Sequence, residues 1–246
     1  MNIQRKIPFI IPAAGKSSRF KTNQSKIFYV LKKKTLIEHM VNKIDKFSNK
    51  IYIVANSKNF KKLNEIFKKN KKIKIIIQKK INGMATAIQL PLTKLKGINF
   101  GIIWADQIFL KKNTILETVK KQLHQKNSVT FPVCKVKNPY TYLVYDKNKF
   151  IDILQKREVN FKKKFGYSDC GFFVCKTDFV KNNLKKLISN KKIFTKKTKE
   201  YDFLHALKYF NQLQKVGFII TTTKTDTIGI NKLSEIKKYE KSVNYI

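Results

Sequence analysis

Apolar and polar positions along the chain follow two rhythms. Residues 7–11, Ile-Pro-Phe-Ile-Ile, form a short continuous apolar run that predicts a buried strand. Residues 35–47 carry apolar side chains at 36, 37, 40, 41 and 44, the stripe of a helix. A strand is expected at 50–55, then a helix with Ser57 as its N-cap reaching residue 70. A strand at 73–78, a helix opened by Gly83 and running to residue 92, a buried strand at 99–105 and a helix at 113–124 continue the series. This β-α-β-α repetition predicts an α/β fold with a doubly wound, mostly parallel sheet and right-handed crossovers. From residue 128 the rhythm changes to strands at 128–134, 140–145, 150–155 and 171–175. Helices at 181–187 and 201–210, a strand at 216–222 and a terminal helix from Lys232 complete the expectation. No internal repeat and no linker rich in Pro, Gly or Ser divides the chain, so residues 1–246 are read as one domain. The stretch 191–199 reads as a basic surface loop.

The chemistry concentrates just after the first strand. There the sequence Pro12-Ala13-Ala14-Gly15-Lys16-Ser17-Ser18-Arg19 leads on to Ser25-Lys26. Small residues and a glycine leave main-chain N–H groups open to a ligand, which makes an anion-binding concavity without any side chain. Lys16, Arg19 and Lys26 add three cations. The carboxyl end of a strand is where open α/β sheets place ligands, so this loop reads as a phosphate cradle. It is neither a G-x-x-x-x-G-K-S/T loop nor a G-x-G-x-x-G fingerprint, which removes the main support for P-loop and dinucleotide readings. Asp106 ends a second buried strand, Gly101-Ile-Ile-Trp-Ala-Asp106. A single carboxylate at that edge suits Mg²⁺, which prefers one or two carboxylates plus phosphate oxygens. The bland alternative for Asp106 is an N-cap of the following helix.

The loop resembles the signature A-A-G-x-x-x-R…P-K of the sugar-nucleotide pyrophosphorylases, a superfamily of nucleotidyltransferases. The seven-residue interval between Arg19 and Lys26 is similar to that of the uridyltransferase branch that makes UDP-N-acetylglucosamine, with Ser25 in place of proline. The resemblance runs through nearly the whole chain and implies a Rossmann-like sheet of the nucleotide-diphospho-sugar transferase type. It implies Asp106 as a Mg²⁺ ligand, with Ala105 replacing a glycine, and Asn231 of Gly229-Ile-Asn231 as its partner, with Asp226 in reserve. A helix N-cap is the alternative reading of Asn231. Gln78 with Gly83 and Met84 would read the nucleobase, Met84 replacing a threonine. On the sugar side, Thr141 stands at a glycine position, Gln155 at a glutamate, Asp169 at an asparagine and Trp104 at a tyrosine, while Glu200 is retained. Acid and amide are thus exchanged at two sugar-contacting positions, which reverses hydrogen-bond polarity and points to a changed acceptor. The hexapeptide repeats of the bifunctional enzyme's β-helix do not occur, so acetyltransferase activity is not expected.

Composition alters this picture little. Among 54 basic residues only Arg5, Arg19 and Arg157 are arginines, so 54 − 3 = 51 are lysines, spread along the chain with a net charge of +39. Dispersed lysine reads as compositional drift, whereas dedicated nucleic-acid binders cluster their charge and favour arginine. Three scattered cysteines, Cys134, Cys170 and Cys175, fit neither a disulfide framework nor a zinc site and suit a reducing cytoplasm. No apolar run approaches a membrane span, and no signal-peptide pattern is present. The histidines His39, His124 and His205 form no nucleophile pattern.

The reading is therefore transfer of a nucleotide from an NTP, UTP or CTP, to a sugar 1-phosphate with release of pyrophosphate, with Mg²⁺ as cofactor. Arg19 and Lys16 would hold the β- and γ-phosphates, the backbone of Ala13, Ala14 and Gly15 would seat the nucleotide, and Lys26 would neutralise the α-phosphate. Neither a membrane nor a specific nucleic acid is expected as partner. Two alternatives remain: a cytidylyltransferase for a phosphorylated alcohol, sugar or phosphonate, and a basic polyanion-binding protein on the same fold.

Overall fold

The computed structural model describes residues 6–15, 20, 24–230 and 236. Lys16, Ser17, Ser18, Arg19 and Asn231, and the helix expected from Lys232 apart from Ile236, lie outside the described residues.

The first half is the expected alternation. Strand β1 (Ile7–Ala13) leads through a 3-10 turn at Lys26–Phe28 and a minimal hairpin, β2 (Val30–Leu31) and β3 (Lys34–Thr35), into α1 (Leu36–Ile44). Thr35 caps α1 in a full capping box with Glu38, satisfying two orphan donors at once. Strand β4 (Ser48–Ala55), α2 (Ser57–Phe67), β5 (Ile73–Ile77), α3 (Met84–Leu92), β6 (Asn99–Ile103) and α4 (Lys112–Gln125) follow. Strands β5, β4, β1 and β6 lie side by side and parallel. One boundary differs from expectation: Asn56, not Ser57, caps α2, its side chain accepting from the Asn59 N–H. Asn56 also donates its amide to the Ala14 carbonyl at 3.0 Å, so a strand-end residue ties the β1 loop to the helix.

The second half adds antiparallel strands. β7 (Val129–Lys137) is long and shared: β11 (Phe172–Lys176) and β10 (Phe165–Asp169) pair antiparallel with its beginning and end, and β12 (Val216–Thr221) pairs parallel on its other edge. β11 joins this group to β6 antiparallel, giving the order β10-β7-β11-β6-β1-β4-β5. Strand β10 was not expected. A Cβ at its Gly166 would sit 2.5 Å from the Tyr142 ring, so the glycine serves close packing within a strand. β8 (Thr141–Asp146) and β9 (Lys149–Gln155) form a separate hairpin, and α5 (Thr177–Ser189) and α6 (Phe203–Leu213) complete the described elements.

Period-two alternation sorts β1 between two cores. Phe9 and Ile11 pack with residues of α1, α2 and α4, while Ile10 packs with residues of α3, α5 and α6, and all three are fully buried. The sheet therefore carries helices on both faces, the doubly wound arrangement expected. No helix among the described residues is long and apolar enough to cross a membrane.

The last strand is fastened to α4 by one carboxylate. Asp226, fully buried, accepts from the Lys111 N–H at 2.9 Å, from the Thr114 hydroxyl at 2.6 Å and from the Thr221 hydroxyl at 3.2 Å. Asp226→Ala should destabilise the protein by at least about 3 kcal/mol, because it orphans several buried donors. Chemical denaturation checks this; a loss within the error of the midpoint would show that the lock is dispensable.

Candidate active site

Lys26 stands on the 3-10 turn after the β1 loop, fixed there by the buried side chains of Ile27 and Phe28. Its ammonium donates to Asp106 Oδ2 at 2.6 Å and to the Ile230 carbonyl at 2.9 Å. Both side chains keep a little solvent contact, 18% for Lys26 and 17% for Asp106, so the pair is only partly desolvated. Asp106 lies three residues beyond β6, and its carbonyl accepts from the Ile230 N–H at 3.2 Å. The chain around Gly229 therefore passes directly over Asp106. Ala13 and Ala14 are buried at the end of β1 and Gly15 is exposed beside them, with no described residue near the place of a Cβ. The Lys26 turn, the residue after β6 and the chain at Ile230 thus meet at one point.

Asp106 does not cap the following helix. The N-cap of α4 is Lys111, and Asp226 takes the Lys111 N–H and two hydroxyls, three bonds that make it a structural carboxylate. No group of three His, Cys, Asp or Glu side chains able to hold a metal occurs among the described residues. The donor set at Asp106 is one hard carboxylate beside a main-chain carbonyl. It suits Mg²⁺ when substrate phosphates complete the coordination.

Gln78 follows β5 and is buried. Its amide nitrogen donates to the Thr86 hydroxyl at 2.9 Å and to the Gly83 carbonyl at 3.2 Å, which leaves its carbonyl oxygen for a ligand's donor. Gly83 has φ +123°, and a Cβ would lie 2.3 Å from the Tyr201 carbonyl oxygen. The backbone of Tyr201 bonds Asn82 and Ala85 on either side, so the Lys199-Glu200-Tyr201 stretch is docked on the start of α3, where Met84 packs against the core. Only glycine permits that approach.

The acceptor-side residues form a second cluster. Thr141 and Gln155 are register partners across the β8–β9 hairpin. The Thr141 hydroxyl donates to Asp169 Oδ1 at 2.6 Å and lies 2.7 Å from the Ser168 hydroxyl. Asp169 Oδ2 accepts from the Gly171 N–H at 2.9 Å, and the Gly171 carbonyl accepts from Trp104 N–H at 2.9 Å. The threonine and the aspartate are thus one coupled unit. Burial pushes the Asp169 carboxyl up, against its bonds from Thr141 and Gly171, and the charge of Asp202 adds to the rise. Gln155 donates to Asp202 at 2.9 Å and accepts from Arg157 Nε at 3.1 Å. Arg157 also pairs with Asp202 and, at 3.6 Å, with Glu200.

Sequence reading missed Arg157, Asp202 and Gln107. Arg157 had a signal, being one of three arginines in a lysine-dominated chain. Asp202 caps α6 through the Leu204 and His205 N–H groups, and its second oxygen holds the arginine. Gln107 follows Asp106, is nearly fully buried, and its carbonyl oxygen has no partner. Nothing in the sequence marked it.

Residues 9–162 match the family of the MobA-like NTP transferase domain. The bifunctional protein GlmU of Buchnera aphidicola subsp. Acyrthosiphon pisum is 27% identical over 97% of this chain and 51% of its own length. GlmU of Campylobacter fetus is 26% identical over 92% of this chain and 51% of its own. The chain thus spans about half the length of these curated relatives. A probable UDP-N-acetylglucosamine pyrophosphorylase of Acanthamoeba polyphaga mimivirus is 22% identical over 85% of this chain and 84% of that protein. Among solved structures, a putative glucose-1-phosphate thymidylyltransferase from Bacillus anthracis has a TM-score of 0.75 at 16% identity, covering 97% of this chain and 96% of its own. The inositol-1-phosphate CTP transferase of T. maritima has a TM-score of 0.75 at 15% identity, covering 96% and 94%. At such identities the two structures establish the shared fold.

The raised Asp169 carboxyl has a thermodynamic consequence. With its folded pKa above the unfolded one, the native state holds the proton more tightly, so stability falls as pH rises through the carboxylate range. The Tm of Asp169→Asn relative to the native protein should therefore increase between about pH 4 and pH 8. A pH-independent difference in melting curves would show that Asp169 is not held protonated by the fold.

Proposed function

Since the chain belongs to the MobA-like NTP transferase domain family, we propose that this nucleotidyltransferase moves UMP from UTP to a sugar 1-phosphate, releasing pyrophosphate. The observation that carries the reading is the Lys26 ammonium 2.6 Å from Asp106, with exposed Gly15 following β1 in the same sheet. A cation, a lone carboxylate and accessible N–H groups at one sheet edge form a site for polyphosphate.

An oxygen of the acceptor phosphate attacks the α-phosphorus, one P–O bond forms, and the bond to the β-phosphate oxygen breaks with pyrophosphate as leaving group. The acceptor is mostly dianionic near neutral pH, its second pKa being about 6, so no general base is required. Catalysis then consists of positioning and charge stabilisation. Lys26 neutralises charge at the α-phosphate, and Lys16 and Arg19 take the outer phosphates. Asp106 and Asn231 would hold Mg²⁺, which when bound offsets the repulsion between phosphates. The Gln78 carbonyl oxygen would accept from uracil N3–H, and the name of the mimivirus relative, a probable UDP-N-acetylglucosamine pyrophosphorylase, supports uridine. Trp104, Thr141, Gln155, Asp169 and Glu200 would line the sugar pocket, with Arg157 holding its acidic side in place.

Release of pyrophosphate should depend on UTP and a sugar 1-phosphate when four NTPs and a panel of phosphorylated acceptors are screened. Lys26→Ala should lower turnover at least about a hundredfold, the size of a lost preorganised charge, and Asp106→Ala should abolish divalent-metal stimulation. Turnover with CTP alone would turn the assignment to a cytidylyltransferase. No turnover with any NTP, together with salt-sensitive binding of any polyanion, would leave a basic binding protein on this fold.

The coupling of Thr141 to Asp169 makes a sharper acceptor test than changing either alone. Thr141→Gly combined with Asp169→Asn should raise relative kcat/KM for N-acetylglucosamine 1-phosphate by about tenfold, the equivalent of one properly paired buried group. An unchanged acceptor profile in a folded, UTP-binding variant would remove these positions from sugar selection.

A further inference from the structure

A cleft of about 620 Å³ opens between the end of α1, the start of α4 and the end of β12, lined by Lys43, Lys111, Lys112, Thr114, Thr222 and Thr223 among others. Lys43 is its unusual member. The side chain lies in the last turn of α1 with only 6% of the residue exposed, and its ammonium has no hydrogen bond or ion pair among the described residues. An ammonium taken out of water without a partner is costly, and buried charges are normally paired. Nearby acids do not meet the need. Asp226 is occupied by three donors, and Glu117, also on the lining, pairs with Lys120 at 3.0 Å on the exposed helix face.

The other groups around the cleft are donors. The start of α4 has no capping side chain from its own N-cap residue Lys111, and no described acceptor meets the N–H groups of Lys112, Asn113 and Thr114. Thr222 and Thr223, just past the end of β12, also line the cleft. Three cations, a helix N-terminus and hydroxyls around one opening make an environment for a compact oxyanion.

We propose that this cleft is a binding site for a phosphate-bearing anion, distinct from the Lys26–Asp106 site, with Lys43 as the buried cation that its ligand pairs. The cleft is larger than one phosphate requires, so the phosphate group of a small metabolite fits as well as free phosphate. The Lys43 ammonium is pushed down to about 8 by burial and by its neighbours Lys112 and Lys111, which makes it the natural reporter. A bound anion stabilises its charged form and so suppresses its reaction as an amine.

Reductive methylation of the full chain, quantified lysine by lysine by mass spectrometry near pH 8, tests this with inorganic phosphate and phenyl phosphate as probes, chloride balancing ionic strength. Lys43 labelling should slow about tenfold at ten times the dissociation constant, while exposed Lys61 and Lys74 are unaffected. Protection by one or both probes supports the site, and their ratio tells whether it takes free phosphate or an ester. Equal slowing at all lysines, or none at Lys43, overturns it. As a second readout, the part of the phosphate-induced rise in Tm lost in Lys43→Met should return in Lys43→Arg. A rise identical in the native protein and Lys43→Met also overturns the proposal.

Discussion

The Lys26 ammonium, shared between the Asp106 carboxylate and the Ile230 carbonyl, joins positions 80 and 204 residues apart in the chain. Every other feature of the site is arranged around that contact. The 3-10 turn with its buried Ile27 and Phe28 carries the lysine, and Asp106 follows three residues after β6, a strand buried from Phe100 to Ile103. Partly shielded from water, the two charges attract more strongly than they would in open solvent, while each side chain keeps some exposure.

Acidic residues are scarce in this chain, 15 against 54 basic ones, and the buried ones occupy junctions. Asp226 fastens the segment after β12 to α4, and the same segment delivers Gly229 and Ile230 to the site. Asp202 caps α6 with one oxygen and holds Arg157 and Gln155 with the other. Each such carboxylate satisfies several donors at once, the condition under which a buried charge is tolerated. Lys43 is the exception among the cations, buried without a described partner, and that imbalance distinguishes its cleft from the solvated lysine faces elsewhere.

On the acceptor side the chain departs from its resemblance in a concerted way. A threonine at a glycine position would crowd the pocket; here its hydroxyl instead bonds Asp169, whose own carboxylate replaces an amide. The aspartate can accept from both Thr141 and the Gly171 N–H, which an asparagine could not do with both terminal atoms. The two substitutions are therefore one change in polarity. Gln155 fits the same scheme, since a glutamate there would set a like charge against Asp202.

Local sequence was sufficient where one signal dominated. The continuous apolar run of β1, the 36-37-40-41-44 stripe of α1 and Gly83 before α3 specify their elements, because hydrophobic period and glycine conformation act within a few residues. The pairing of Lys26 with Asp106 was approachable from sequence because both follow predicted strand ends, and a strand end sets where such residues emerge. Long-range pairing was not legible. Strand β10 carries Gly166, which makes room for the Tyr142 ring of the separate β8–β9 hairpin, and Asn56 rather than Ser57 caps α2 while also reaching Ala14. The roles of Asp226, Arg157 and Lys43 were likewise decided only by tertiary structure. Whether a charged side chain is a lock, a pocket wall or an unpaired cation depends on which distant donors and acceptors the fold brings within about 3 Å, and hydrophobic periodicity carries no information on that.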